Sequence, residues 1–386
     1  MKKPYRLAVS QIVKNESHVI ERMLNSIKSI IDCAVFVDTG STDGTQEIIK
    51  KWGETNNIPC FVYERPFDNF ENSRNYAMQM VKDKSEYAFW LDADETIEID
   101  HKVFDKNKLD KDLYMFNTYI GAMKYTRNEC WNTSKNFRWY GPVHEFIVCD
   151  DQGISSGLME GLHVKVQMDG GSWKGNIPEK YKSHAAILEE YINNKDRNAR
   201  WVFYTAQSYH DSASIPDNKV ENDERLRRSL KYYKERIGRT DGYEEERFYS
   251  QFRVGTITKA LEEPWFKVHQ EFLKAYSMDP LRAEPIKAIV DYYLNNGEWN
   301  MAYLYSKFGV VNFHGKNPYP TRLLFVDESL YAWRFLEVHA AACFYTNRKD
   351  EAASTFKELI KITQTSPGSF SPEDLAKIQS NAQFFQ

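Results

Sequence analysis

Apolar positions in the first ninety residues follow two alternating periods. Arg6 to Val13, Ala34 to Val37, Ile58 to Tyr63 and Tyr87 to Leu91 are short apolar runs, and each predicts a buried strand. Between them apolar residues recur at three- and four-residue spacing. Ile20, Met23, Leu24, Ile27, Ile30 and Ile31 form one helical stripe, with Asn15 as the expected N-cap. Ile48, Ile49 and Trp52 form a second, behind the capping-box pattern of Asp43 and Gln46. Asn69 to Val81 predicts a third helix. Alternating strand and helix predict a parallel sheet with helices on both faces.

After Glu95 the rhythm changes. Asp112 to Ile120, Glu145 to Cys149 and Leu162 to Val166 predict strands that extend the sheet in mixed fashion. Asp169-Gly-Gly-Ser-Trp-Lys-Gly175 is a candidate lid or a domain linker. From Pro178 onward the pattern is almost wholly helical. Two helical hairpins stand out, Ala283–Leu294 with Trp299–Phe308 and Leu330–Tyr345 with Asp350–Ile362, with Ala341, Ala342, Ala352 and Ala353 at inward positions. They predict an irregular tetratricopeptide-type array, against a plain helical bundle as the alternative. The expected organisation is an α/β domain over residues 1–177, followed by an all-α helical-repeat domain over residues 178–386.

Composition narrows the function. The chain has 386 residues, 51 Lys and Arg against 55 Asp and Glu, and a net charge of −4, so it lacks the basic surplus of a nucleic-acid binder. Its five cysteines include no Cys-x-x-Cys, which favours a reducing, cytoplasmic setting over a disulfide framework. Met-Lys-Lys-Pro-Tyr-Arg leads into a strand without the apolar core of a signal peptide, and no 18-residue apolar run predicts a membrane span.

Two acidic turns carry the candidate chemistry. In Asp92-Ala93-Asp94, two carboxylates at i and i+2 of an extended segment face one side at a strand's carboxyl end. Such hard oxygen ligands suit Mg²⁺ or Mn²⁺ that also binds diphosphate. In Asp38-Thr-Gly-Ser-Thr-Asp-Gly-Thr45, Gly40 and Gly44 permit close backbone approach and a helix N-terminus follows. Asp38 can accept from a base N–H or a ribose hydroxyl. Neither turn is a dinucleotide fingerprint or a Walker A loop.

Four blocks stand in order: Val13-Lys14-Asn15-Glu16, Val37-Asp38 to Thr45, Ser73-Arg74-Asn75 and Leu91-Asp92-Ala93-Asp94-Glu95. The series resembles that of family-two glycosyltransferases with the GT-A fold, over about residues 5 to 165. Trp139-Tyr140-Gly141-Pro142-Val143-His144-Glu145 is similar to a further block in the branch that carries C-terminal tetratricopeptide helices. Thr39 stands where many members have a second Asp. The resemblance implies a nucleotide-diphospho-sugar donor, usually a UDP-sugar, a divalent cation (Mn²⁺ or Mg²⁺) and inverting transfer to a protein or glycan acceptor. It groups Val13, Asn15, Glu16, Asp38, Gly40, Asp43, Arg74, Asp92 and Ala93 around the donor. Asp38 would contact the nucleoside, and Arg74 would lie near the base or the phosphates, whose oxygens suit a guanidinium fork. Asp94 would chelate the metal, with Asp92 on the ribose or metal. Glu145 is the expected base, with His144 as competitor. His163 either completes the metal shell or is structural. Trp173 and Lys174 are candidates to close over the donor. The C-terminal helices would bind the acceptor or join a second copy. A helical-repeat adaptor with an inactive nucleotide-sugar domain is the alternative, opposed by the intact Asp-x-Asp and Arg74. A nucleotidyltransferase is opposed by Val9 to Glu16, which has no Gly.

Overall fold

The computed structural model describes residues 3–121, 123–317 and 324–385, so Met1 and Lys2 of the expected N-terminal stretch lie outside it. Two compact units divide the chain: the first holds most of residues 1–197, and the second most of 198–386.

In the first unit, β1 (Tyr5–Val13) pairs in parallel with β2 (Cys33–Asp38) and β4 (Ser85–Phe89), and β2 pairs in parallel with β3 (Cys60–Glu64). The sheet continues through β7 (Met123–Asn132), β6 (Leu113–Ile120), β10 (Ser156–Val166) and β5 (Glu95–Ile99), in the order β3-β2-β1-β4-β7-β6-β10-β5. β4–β7 and β10–β5 are antiparallel. This is the α/β unit with a mixed sheet expected from the sequence. β8 (Phe137–Tyr140) and β9 (Phe146–Cys149) form a separate hairpin.

Strand alternation sends the two sides of β1 into two cores. Leu7 and Val9 pack with Ile20, Met23, Leu24 and Ile27 of α1 (Ile20–Ile27) and Trp52 of α2 (Thr45–Asn56). Ala8 packs on the other face with Met78 and Val81 of α3 (Phe70–Val81) and with Trp90, Trp131 and Trp139. Asn69 caps α3, accepting from the backbone of Asn72 at 2.7 Å. Two expected caps are otherwise engaged. Asn15 has φ 57° and accepts from Thr42 N, while α2 begins after Gly44 with no side-chain cap. β5, β7 and β8 were not anticipated. The unit ends with α4 (Ile177–Asn194), so it runs past residue 177.

The second unit is helical: α5 (Ala199–Ser212), α6 (Lys219–Gly238), α7 (Glu244–Ala260), α8 (Trp265–Met278), α9 (Glu284–Asn295), α10 (Trp299–Asn312), α11 (Phe335–Tyr345), α12 (Lys349–Thr365) and α13 (Pro372–Asn381). From α5 to α12 each helix packs mainly on its sequence neighbour, as in a repeat array. A Cβ at Gly309 would lie 2.0 Å from the Phe335 ring, so this crossing needs glycine. Ala342 and Ala352 are buried as expected, Ala341 is half-buried, and Ala353 faces solvent. No helix among the described residues is long and apolar enough to cross a membrane.

Candidate active site

The carboxyl ends of β1, β2 and β4 meet at one edge of the sheet, where open α/β sheets take their ligands. At the end of β2 the Asp38 carboxylate is buried. Its Oδ1 accepts from Gly40 N and Ser41 N, each at 2.8 Å. Its Oδ2 is buried with no hydrogen-bond partner among the described residues. An unsatisfied buried acceptor costs stability unless something donates to it. After β1, Asn15 and Glu16 are tied to this loop. Asn15 N donates to Ser41 Oγ (2.9 Å), and Glu16 N donates to Thr45 Oγ1 (2.9 Å).

Asp92-Ala93-Asp94 lies in a turn between β4 and β5 rather than on an extended strand, with Glu95 N donating to the Asp92 carbonyl (3.0 Å). Gln11 of β1 holds the turn. With its amide oriented to suit both partners, it donates to the Leu91 carbonyl (2.7 Å) and accepts from Ala93 N (3.1 Å). Asp92 Oδ1 accepts from the Trp90 indole (2.8 Å). Asp94 is only 8% exposed, and burial followed by the Asp92 charge raises its pKa. Burial first, then Asp94, likewise raises that of Glu16. The charge of Asp92 thus acts on both Asp94 and Glu16, and the turn gathers negative charge that a divalent cation would offset.

Arg74 of α3 reaches the same place. Its guanidinium lies over the indoles of Trp90 (4.2 Å) and Trp139 (4.6 Å), which meet each other edge-on at 5.3 Å. Its Nε is 2.8 Å from Glu145, without the alignment of a hydrogen bond, and its Nη2 is 3.8 Å from Asp92. Asn75 fixes the Trp139 wall, donating to its carbonyl (2.9 Å) and accepting from its N–H (2.8 Å). Glu145 therefore joins the Asp-x-Asp turn through Arg74. His144, at φ 54°, instead sets its ring edge-on to His184 of α4 at 5.8 Å.

Several expected ligands stand elsewhere. His163 pairs with Glu98 on β5, three residues beyond Glu95, or about 10 Å along the strand. Its ring lies edge-on to Tyr119, so it does not join Asp94. Residue 167, not 163, is level with the turn: Gln167 N donates to the Asp94 carbonyl (3.2 Å). Asp43 spends both oxygens on the loop, accepting from Thr45 N, Thr45 Oγ1 and Ser17 N; these bonds outweigh desolvation and hold its pKa down to about 2. Val13 is buried in the core and offers its carbonyl to Thr39, and Ala93 contributes its backbone. Gly40 serves through its N–H and φ 110°.

The glycine-rich segment 169–175 is docked rather than free. Gly170 N donates to Asp94 (3.4 Å) and Gly171 N to Glu16 (3.0 Å). Arg22 grips Asp169 at 2.6 and 2.8 Å, and His18 Nε2 is 2.8 Å from its carbonyl. A Cβ on Gly170 would sit 3.0 Å from Asp94 Cγ, so a side chain there would press on the Asp94 carboxylate.

Beneath the turn, Arg127 binds Glu95 (2.8 Å) and approaches Glu129 (2.6 Å). Two buried carboxylates share one guanidinium, and burial raises them to about 7 and about 8 against its pull. The folded chain thus holds protons that the unfolded chain releases near pH 4.5. Stability should be greatest at low pH and fall as pH rises from about 5 to 8. Calorimetric melting across that range should show the slope, and Glu129→Gln should flatten it. Arg127→Met, which strands both carboxylates, should cost about 3 kcal/mol.

Residues 11–106 match the Glycosyl transferase family 2 model. The matched residues lie within the first unit. The SPbeta prophage-derived glycosyltransferase SunS of Bacillus subtilis is 24% identical over 233 residues, covering 58% of this chain and 53% of SunS. A TPR repeat-containing protein of Synechococcus elongatus is 24% identical over 149 residues, covering 37% of this chain and 35% of its own. The chain thus spans about half the length, or less, of these relatives. Among solved structures, S. aureus TarS 1–349 with UDP-GlcNAc is 12% identical with a TM-score of 0.30, covering 83% of this chain and 97% of TarS 1–349. The Pyrobaculum calidifontis mannosyltransferase PcManGT with GDP-Man and Mn²⁺ is also 12% identical, with a TM-score of 0.34, covering 68% and 87%.

Proposed function

We propose that this protein is a metal-dependent, inverting glycosyltransferase. It moves a sugar from a nucleotide-diphospho-sugar, a UDP-sugar in the first instance, to a protein or glycan acceptor. The observation that carries this reading is the meeting of Asp92 and Asp94 with the Arg74–Glu145 pair at the carboxyl ends of parallel strands. Asp38 Oδ2 is the acceptor for a donor group of the base. Asp94 and Asp92 would hold Mn²⁺ or Mg²⁺, which when bound offsets diphosphate charge. Arg74 adds a cation on the same side, held by cation–π contacts with two indoles. Glu145 would take the acceptor's proton as the acceptor attacks the anomeric carbon. The second unit's helices are the surface we assign to acceptor binding or to a second copy. The five cysteine thiols are free, in keeping with a cytoplasmic setting.

A panel of nucleotide sugars, incubated without acceptor in Mn²⁺ and then in EDTA, tests this. Metal-dependent release of one nucleotide is expected. No release from any donor, together with no nucleotide binding by calorimetry, would overturn the reading in favour of an inactive domain on a helical adaptor.

A further inference from the structure

α4 supplies a charge that no motif in the chain predicts. Lys180 projects from its first turns, and its Nζ lies 4.7 Å over the Trp173 ring and 5.4 Å over the Tyr181 ring. Trp173 closes the short helical turn that begins at Gly171, and the backbone of Gly170 and Gly171 is bonded to Asp94 and Glu16. One helical turn on, His184 meets His144, the neighbour of Glu145. Farther along, Tyr191 donates to Tyr140 of β8 (3.1 Å) and ties the helix to the unit. α4 thus runs from the segment covering Asp94 to the segment carrying Glu145. The carboxylates acting most strongly on the half-buried Lys180 ammonium are Asp94 and then Asp92.

Charge explains why a second cation is needed. Asp38, Asp92, Asp94, Glu16 and Glu145 are five carboxylates, and a nucleoside diphosphate adds more negative charge. Arg74 answers them from its place over two indoles, already paired with Glu145. Lys180 sits on a flexible four-carbon stem with three N–H donors that can follow charge as it moves.

We propose that Lys180 binds the β-phosphate of the donor and stabilises the departing nucleoside diphosphate. This rests on the reading of the site as a glycosyltransferase centre. In the transfer, the acceptor's nucleophilic atom bonds to the anomeric carbon as the bond from that carbon to the β-phosphate oxygen breaks. The electron pair stays on that oxygen, and the acceptor's proton passes to Glu145. Lys180 donates hydrogen bonds to the phosphate and keeps its own protons. Before the donor enters, the cation–π contact with Trp173 sets the direction of the ammonium.

Lys180→Met keeps the apolar stem over Trp173 and removes the charge. Calorimetry in Mn²⁺ would compare UDP with UMP, and GDP with GMP, on wild type and variant. The wild type should prefer the diphosphate. Lys180→Met should lose roughly 10- to 100-fold of that preference while monophosphate affinity and melting temperature stay unchanged. Lys180→Arg should restore most of it. Should the methionine variant fail to fold, Lys180→Gln takes its place. An undiminished diphosphate preference in a folded, uncharged variant would overturn the role of Lys180 while leaving the site reading intact. A wild type that binds neither nucleotide pair would overturn the site reading, and this proposal with it.

Discussion

Asp94→Asn should lower sugar transfer by about 10³-fold or more and leave the fold at least as stable. A thousandfold is about 4 kcal/mol of barrier, the scale of one metal-held carboxylate. The stability half follows from the site's electrostatics. Asp94 is buried beside Asp92, and both effects disfavour its charge. Its folded pKa is raised, so at neutral pH the ionised group weakens the fold, a cost that disappears as pH falls. Asparagine removes that repulsion and can still accept from Gly170 N, the bond seen at 3.4 Å. Lost activity with an equal or higher melting temperature marks a residue kept for function. Transfer within tenfold of wild type would contradict the assignment of Asp94.

Glu145→Gln should slow transfer to acceptor by about 10²- to 10⁴-fold, the range for loss of a general base. Nucleotide binding should survive, because Asp38 and the Asp92–Asp94 turn are untouched. The side chain of Glu145 is 6% exposed and lies against Arg74, so glutamine preserves shape while giving up one charge of the pair. His144→Gln should cost less than tenfold, since the His144 ring faces His184 rather than Asp92. Steady-state rates for the two variants with one donor and acceptor decide between them. A larger loss in His144→Gln would move the base to the histidine.

Much of the first unit was legible because its central strands are covered on both faces. β1, β2 and β4 read as apolar runs, and the α1 stripe of Ile20, Met23, Leu24 and Ile27 is buried throughout. The carboxyl ends of those strands then placed Asp38 and the Asp92–Asp94 turn. β7 was hidden because Met-Lys-Tyr-Thr-Arg-Asn-Glu-Cys-Trp-Asn mixes charges into a strand. Among those charges Arg127 pairs with Glu129 and with Glu95, which lies 32 residues away, so no local pattern announces the cluster.

His163 failed for a register reason. A histidine on β10 can reach the turn only at the residue facing it, and pairing to Glu98 sets His163 three residues short. The glycines of 169–175 read as flexibility, whereas Gly170 and Gly171 provide room for close contact with Asp94 and Glu16. Distinguishing the two needs the neighbour, which sequence spacing does not supply. Gln11 and Lys180 were missed for the same cause: each acts on the turn from a distant part of the chain. Asn75 was visible within Ser73-Arg74-Asn75, but its clamp on Trp139 spans 64 residues.

The most direct test is a crystal grown with Mn²⁺ and a nucleoside diphosphate, with data collected for anomalous scattering. The account predicts a manganese peak about 2.2 Å from a carboxylate oxygen of Asp94, the diphosphate beside Arg74, and the base within reach of Asp38. Nucleotide bound elsewhere, or manganese absent from the Asp92–Asp94 turn with nucleotide in place, would contradict it.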